Sequence, residues 1–394
     1  MTVTTSEAEQ GGTTGRYLVL LEDDAVEAGT REMTRVAGIR TAELDPERVD
    51  FGDADGMVLA QLGVAVINAD ADQAAALARA ADESGPIALF EPERRIYAIG
   101  AAPAVEPAPT ADETTFTWGL QAIGATTSTA TGEGIRLAVL DTGFDVDHAD
   151  FVGRSVTTNS FIQGEDVRDG HGHGTHCVGT AAGPREPGDG PGYGVAHRAD
   201  IFAGKVLSDQ GSGSDGGILS GIAWAVTNGC PVVSMSLGAA TRPGDPYSQT
   251  YERVATRALA QGTLIIAAAG NESRRQDGRV EPVGHPANCP SILAVGAIDV
   301  HQAIAWFSCG TVDGVGAVDI VGPGVEVYSS WPHPLGHNRI SGTSMATPHV
   351  AGVAALIAQT TGARAWELWA RLTQLARRLP LASTDVGSGL VRTP

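Results

Sequence analysis

The sequence is poor in lysine, in aromatic residues and in positive charge. Lys205 is the single lysine among 394 residues, and aromatic residues make up 5% of the chain. Apolar stretches such as 263–269 and 291–297 are far too short to cross a bilayer. The formal net charge at pH 7 is −20. Because nucleic acids and anionic membranes attract basic surfaces, we expect neither as a partner.

Cysteine is also sparse. The four cysteines allow three pairings, and the sequence does not choose between a bridge in an oxidising compartment and four free thiols; they are Cys177, Cys230, Cys289 and Cys309. No C-x-x-C pair indicates zinc. Residues 1–16 show neither the basic nor the apolar region of a secretory signal. We therefore expect a cytoplasmic protein as the sequence is written, or a secreted one if a leader is missing or export is non-classical.

The first hundred residues alternate between strand and helix patterns. After a polar tail at 1–16 the patterns predict a strand at 17–21, a helix at 25–38, a strand or hairpin at 57–67, an alanine-rich helix at 71–82 and a strand at 87–99. This order predicts a small α+β domain over 17–99. Residues 100–115 are rich in proline and alanine and have no apolar periodicity, which is typical of a linker.

From residue 116 to 394 short apolar runs alternate with helical stretches. The runs lie at 135–140, 201–206, 231–235, 264–268 and 292–295. Strands without polar alternation are typical of a mostly parallel sheet covered by helices on both faces. In such α/β sheets an active site lies beyond the carboxyl ends of the strands.

Three motifs follow such strands or open the next helix. Asp141 ends the apolar run IRLAVL, His173 lies in DGHGHGTHC, and Ser344 lies in GTSMATP. Each motif has a plainer interpretation: a turn aspartate, a metal-binding or functionless histidine loop, and a helix cap. The acids near the histidines have no recognisable zinc spacing, which weakens the metal interpretation.

Taken together, DTG at 141–143, HGTH at 173–176 and GTSMA at 342–346 resemble the signature blocks of the subtilisin-like serine peptidases, in that family's chain order. The resemblance implies a triad of Asp141, His173 and Ser344. His173 would take the proton of the Ser344 hydroxyl, and Asp141 would orient the imidazole. Asn271, in the run LIIAAAGNES, would form the oxyanion hole with Ser344. His176 would be structural.

The same resemblance implies a substrate cleft. Gly211, Ser212 and Gly213 would pair with the substrate backbone, and the walls and floor of the primary pocket would come from Ser236, Leu237, Gly238, Ala268, Ala269, Gly270 and Gly284. Glycine at the floor implies depth, hence a preference for a large apolar P1 residue. Glu272 at the rim could accept a basic one. Asp150 lies where relatives place a calcium ligand, so structural calcium and an ordinary turn carboxylate both stay open, and the chemistry needs no cofactor.

The N-terminal region resembles the inhibitory propeptide of secreted subtilisins, a ferredoxin-like domain that would template folding and block the active site. The resemblance implies a monomeric zymogen whose partners are protein or peptide substrates and its own propeptide. Autoprocessing is expected after about Ile99 or within 97–113, although Tyr97 fits a deep pocket better than Ile99 does. Because residues 1–100 carry 19 acidic and eight basic side chains, docking onto an acidic partner is expected to depend on apolar contact and strand pairing.

Two other functions fit the same sequence. The chain could be a dedicated processing protease or transpeptidase acting on one precursor, which broad cleavage of unfolded casein would exclude. It could also be a catalytically silent protein that only holds peptides in the cleft. Labelling of Ser344 by a fluorophosphonate would exclude the silent protein.

Overall fold

The computed structural model describes residues 12–43, 54–100 and 111–394. Most of the predicted tail and the linker residues 101–110 lie outside the described residues. The N-terminal elements are β1 (Thr13–Leu21), α1 (Val26–Ala37), β2 (Thr41–Glu43), β3 (Gly56–Leu59), β4 (Val64–Ile67), α2 (Ala71–Asp82) and β5 (Ile87–Ala98). The predicted strand or hairpin at 57–67 is a hairpin, since β3 and β4 pair antiparallel.

The N-terminal sheet has two apolar faces. Its strands run in the order β5-β1-β4-β3-β2. Successive side chains of a strand point to opposite faces, so Val19 and Leu21 pack with residues of α1 and α2, such as Met33 and Leu77, in a small core. Leu18 and its neighbours on the other face belong instead to the core of the rest of the chain. The second face is therefore covered by residues far away in sequence.

The remaining elements form the larger part of the molecule. They are α3 (Trp118–Ile123), β6 (Arg136–Asp141), β7 (Val156–Ser160), α4 (His173–Ala182), β8 (Asp200–Lys205), β9 (Ser212–Ser214), α5 (Asp215–Thr227), β10 (Val232–Met235), β11 (Leu237–Gly238), α6 (Gln249–Ala260), β12 (Leu264–Ala268), β13 (Leu293–Ile298), β14 (Ile320–Pro323), β15 (Val327–Ser330), β16 (His337–Ile340), α7 (Thr343–Thr361), α8 (Ala365–Leu375) and α9 (Ser383–Val386).

The second sheet is parallel and has the order β14-β13-β12-β10-β6-β8-β7. Helices α4 and α7 pack against each other and on this sheet, and α5 and α6 pack on it as well. Its central strands are buried along their length, as strands covered on both faces must be. The predicted α/β architecture is confirmed. Within the described residues, no helix combines the length and the apolar character that crossing a membrane requires.

Candidate active site

The carboxyl end of β6 and the start of α4 bring a carboxylate and an imidazole together. Asp141 is the last residue of β6, and His173 is the first residue of α4. His173 Nδ1 lies 2.7 Å from Asp141 Oδ1, which also accepts a hydrogen bond of 2.7 Å from the Thr142 amide. Both side chains are buried. This contact fixes the ring so that Nε2 is free to act as a base.

The charge of Asp141 determines the protonation of His173. Burial by itself lowers the pKa of His173, but the negative charge of Asp141 and its hydrogen bond outweigh burial, so the pKa is raised well above its ordinary value. The neighbouring His176 has no such partner. Burial lowers its pKa to about 3, and its Nε2 lies 2.9 Å from the carbonyl of Val327. Of these two histidines, His173 is therefore the one that can take up a proton readily.

Asp169 holds the start of α4, a role that the sequence motifs did not reveal. It is buried and accepts hydrogen bonds from the amides of Gly172 and Thr175 at 2.8 and 2.7 Å. It also accepts one from the Thr142 hydroxyl at 2.8 Å. One carboxylate thereby joins the residue after Asp141 to the turn that carries His173. The signal in the sequence was an aspartate a few residues before a helix start, which is common at helix caps.

Ser344 is the second residue of α7 and is fully buried. Pro348 lies one turn further along the helix, and it has no amide hydrogen to bond the Ser344 carbonyl. That carbonyl accepts instead from the Ser236 hydroxyl at 2.8 Å. The Ser344 hydroxyl lies 3.0 Å from the carbonyl oxygen of Ile99. Among the described residues His173 Nε2 has no hydrogen-bond partner, so the serine hydroxyl points to Ile99 rather than to the imidazole.

Asn271 lies beside the same segment. Its side-chain Nδ2 donates to the carbonyl of Gly100 at 2.9 Å. Its Oδ1 accepts from both the amide and the hydroxyl of Thr343, each at 2.9 Å. Thr343 therefore fixes which way the amide points, a role that sequence reasoning missed. Ser344 and Asn271 thus contact the carbonyls of two consecutive residues, Ile99 and Gly100.

The end of β5 lies between strands β9 and β11. On one side it pairs antiparallel with β9, with Ile96 opposite Gly213 and Tyr97 opposite Ser212. On the other it pairs with β11, with Ala98 opposite Leu237 and Tyr97 opposite Gly238. The pairing continues past the strand. The Ala98 amide donates to Gly211 at 2.8 Å, and the Ile99 amide donates to Ser236 at 3.4 Å. The three residues predicted to pair with a substrate backbone thus contact the N-terminal chain, and so do Ser236, Leu237 and Gly238, which were predicted as a pocket wall.

The predicted pocket residues lie beyond this strand. The amide of Gly284 donates to the Ala269 carbonyl at 2.9 Å, which joins the floor to the wall formed with Ala268. A side chain added at Gly238 would contact the tip of Ile99, and one at Gly270 would clash with Glu272. The His285 carbonyl oxygen, 2.6 Å from a Cβ added at Gly238, and Glu272 therefore leave no room for a side chain at these two glycines.

Glu272 is turned away from the role predicted for it. Its carboxylate accepts from the Cys309 thiol at 3.2 Å. Burial, reinforced by that negative charge, raises the pKa of Cys309 well above its ordinary value. In this arrangement the carboxylate faces a buried thiol. All four cysteines are free and buried.

Lys205 is buried under the same loops. It ends β8 opposite Asp141 in the sheet register. Its ammonium donates to the Thr142 carbonyl and to Asp209 Oδ1, both at 2.6 Å, and lies 3.2 Å from Glu165. A buried charge needs such partners to offset its lost hydration. The lysine ties the loop after Asp141 to the loop that leads into β9.

Asp150 lies away from the nucleophile, in the turn after β6. Its Oδ2 accepts from the Tyr193 hydroxyl at 2.6 Å and from His337 Nε2 at 2.8 Å. Burial acts to raise the pKa of Asp150, but these two hydrogen bonds outweigh it and lower the pKa. Calcium takes six to eight oxygen ligands. The surroundings of Asp150 consist of imidazoles and a phenol and do not fit that ion.

The fold and these contacts define a serine peptidase of one family. The chain matches the Subtilase family (Peptidase_S8) over residues 132–379, which is more than half of its length. It belongs to that family and is a subtilisin-like serine endopeptidase.

Individual relatives agree with this assignment. The chain is similar to Subtilisin DY of Bacillus licheniformis, with 40% identity over 228 residues that cover 57% of this chain and 77% of the relative. It is 38% identical to Subtilisin Savinase of Lederbergia lenta over 69% of this chain and 92% of the relative. Alkaline elastase YaB of Bacillus sp. (strain YaB) is 39% identical over 70% of this chain and 66% of the relative.

Proposed function

We propose that the enzyme cleaves peptide bonds through an acyl-enzyme formed on Ser344. His173 takes the hydroxyl proton as the serine oxygen attacks the carbonyl carbon, and later gives it to the leaving amine. Asp141 stabilises the imidazolium that forms between these steps. The observation that carries the proposal is the 2.7 Å contact between Asp141 and His173, with Ser344 set against a peptide carbonyl. No cofactor is needed for these proton transfers.

Asn271 would stabilise the negative oxygen of the tetrahedral intermediate. Its amide already donates to a carbonyl next to the one that Ser344 contacts. Thr343 holds that amide in place through two hydrogen bonds to its oxygen. For cleavage of Ile99–Gly100 the amide would turn from the Gly100 carbonyl to the Ile99 carbonyl, on whose oxygen the negative charge develops.

The N-terminal region would act as an inhibitory propeptide. Its strand β5 fills the cleft by β-strand addition, in which main-chain hydrogen bonds hold the segment with little dependence on sequence. With Ile99 in place, Asp141, His173 and Ser344 are all buried. A second substrate cannot reach the serine while this strand remains. The protein would therefore be made as a zymogen.

Charged contacts add to this docking, beyond the apolar contact and strand pairing expected from the sequence. Glu93 of β5 is fully buried and accepts the amide of Gly216, in the first turn of α5, at 2.9 Å. It also accepts two hydrogen bonds of 2.7 Å from Arg16. At the other end Arg257 donates to Asp23 at 2.6 Å. Although both regions are acidic, the contact surfaces pair opposite charges.

The scissile bond of the zymogen would be Ile99–Gly100. Ile99 presents its carbonyl to Ser344, and Tyr97, the alternative suggested by pocket depth, lies two residues upstream in a register held by Ser212 and Gly238. The tip of Ile99 lies beside Gly238. The proposed preference for a large apolar P1 residue depends on Gly284 at the pocket floor, and the β-branched Ile99 is not the best fit to it. Comparable turnover of small β-branched and large aromatic P1 substrates would contradict it.

Incubation of the purified full-length chain, followed by mass spectrometry over time, tests the proposal. We expect two fragments that end at Ile99 and begin at Gly100, together with the appearance of peptidase activity. The Ser344→Ala chain should stay whole. Cleavage at another bond would contradict the register. If the wild-type chain stays intact and a fluorophosphonate still labels Ser344, the proposal of a zymogen is contradicted. The proposal that Ser344 is the catalytic nucleophile then still stands.

A further inference from the structure

Three side chains that play no part in the proposed catalysis form a second cluster. The metal-ligating atoms of His148, Asp150 and His337 all lie within 4.8 Å of one another. His148 and Asp150 come from the turn after β6, and His337 opens β16. We call these three residues the His–Asp–His cluster. It joins two segments that are distant in sequence.

The chemistry of this donor set points to a particular type of cation. Two imidazoles and one carboxylate are ligands that suit zinc and similar first-row transition ions, whereas calcium prefers oxygen alone. Three protein ligands leave a fourth position for water. The side chains of Asp150 and His337 are 7% and 20% exposed. The cluster is thus shielded on most sides, and an ion could enter beside His337.

Neighbouring residues fix the orientation of the three side chains, as residues around the ligands of a metal site do. His148 Nε2 donates to the Gly336 carbonyl at 2.7 Å, which leaves Nδ1 as the ligand atom. His148 Nδ1 accepts a long hydrogen bond of 3.2 Å from the Asp150 amide. Tyr193 fixes the Asp150 carboxylate. The ring of His337 stacks on Tyr328 with 5.1 Å between centroids. Metal-ligating histidines typically donate their second ring N–H to a carbonyl or carboxylate.

We propose that the His–Asp–His cluster binds one Zn²⁺ or a chemically similar divalent transition ion, with water as the fourth ligand. The ion would replace two hydrogen bonds, the one between His337 and Asp150 and the long one from the Asp150 amide to His148 Nδ1. It would link the turn after Asp141 to β16, the strand that runs into the Ser344 segment. Because the unfolded chain does not hold these residues together, binding would raise the thermal stability of the protein.

The test uses the full-length Ser344→Ala chain, which is metal-free after chelation and does not digest itself. Co²⁺ is added as a spectroscopic probe and Zn²⁺ as its competitor. We expect one Co²⁺ per chain with a visible ligand-field band, loss of that band on adding Zn²⁺, and a rise in the midpoint of thermal unfolding with Zn²⁺. Excess Ca²⁺ should not displace the Co²⁺.

Variants locate the ion. His337→Gln and His148→Gln should each weaken binding about 100-fold or more, and Tyr193→Phe should weaken it about 10- to 100-fold by loosening Asp150. His301→Gln, at an exposed position outside the cluster, is the matched control and should bind as the parent does. Circular dichroism of the metal-free variants checks folding.

A second group could compete for the probe. Asp141, His173 and Cys177 also lie within 4.8 Å of one another, so a Cys177→Ser variant is included and should retain the ion. Loss of binding in Cys177→Ser, or unchanged binding in both His337→Gln and His148→Gln, would overturn the proposal. So would Ca²⁺ binding that displaces Co²⁺.

Discussion

The two large sheets of the molecule are buried in different ways. The parallel sheet of the peptidase is covered by helices of its own region, α4 and α7 among them. The antiparallel N-terminal sheet covers one face with α1 and α2, and its other face packs against the peptidase. The N-terminal region thus completes half of its core only while it is docked. The docked face is continuous with the core of the peptidase, so the proposed removal of the N-terminal region would expose apolar surface on both regions.

Substitution of Ser344 should have the largest effect on the relation between the two regions. In Ser344→Ala the two regions should remain one uncut chain, and peptidase activity should fall by roughly 10⁶-fold in kcat, the scale known for this serine in subtilisin itself. Gel analysis and turnover of a chromogenic peptide measure both effects. Ser383→Ala, at an exposed position, is the control. A Ser344→Ala chain that still matures would show that another group cuts it.

Asp141→Asn should have the next largest effect. We expect kcat to fall about 10⁴-fold, the scale of the equivalent change in another serine protease. Activity requires neutral His173, so it is lost as pH falls through the His173 pKa. Since the Asp141 charge raises that pKa, removing it should move the acid limb of the pH–rate profile to lower pH. An acid limb that stays in place would contradict the assigned pair.

Asn271→Ala should lower kcat roughly 10²- to 10³-fold, a figure that comes from subtilisin, and leave KM and the fold nearly unchanged. It should slow maturation of the zymogen by a similar factor, because both reactions use the same oxyanion hole. Steady-state kinetics and the rate of fragment formation measure the two. Equal kcat in the variant and the parent would refute the role of Asn271.

Glu93→Gln should have the smallest effect of the four variants. It removes a buried charge that holds the N-terminal region to α5, so the cleaved fragment should be retained roughly tenfold to a hundredfold less tightly. The activity released on dilution after maturation measures this. Glu27→Gln, at an exposed position, is the control. Equal retention in both variants would mean that strand pairing alone holds the fragment.

Local signals predicted much of the fold. Helix α2 has the bounds predicted for it, Ala71–Asp82, because Asp70 and Gln73 form a capping box at its start. Five strands of the parallel sheet were visible as apolar runs, within a residue or two at each end for β6 and β12, whereas β7 and β14 were not predicted. Strand β11 has only two residues, and no local pattern predicts it, since it exists through its pairing with β5.

The site was predictable where its residues lie in motifs, and not where they come from distant parts of the chain. The contact between Asp141 and His173 is the one that the family resemblance of their motifs implies. The burial of Glu93 does not, because a glutamate in a strand is ordinarily exposed and its partner Gly216 is 123 residues away. The roles of Asp169 and Thr343 likewise depend on contacts that only the folded chain creates.

The single lysine of the chain is fully buried at the end of β8. Acylating reagents at neutral pH therefore find no side-chain amine on the folded surface and are confined to the α-amino group. A mass increase at Lys205 would record each opening of the loops between the proposed catalytic aspartate and the substrate-binding edge. The rate of acylation at Lys205 therefore reports how often this part of the fold opens.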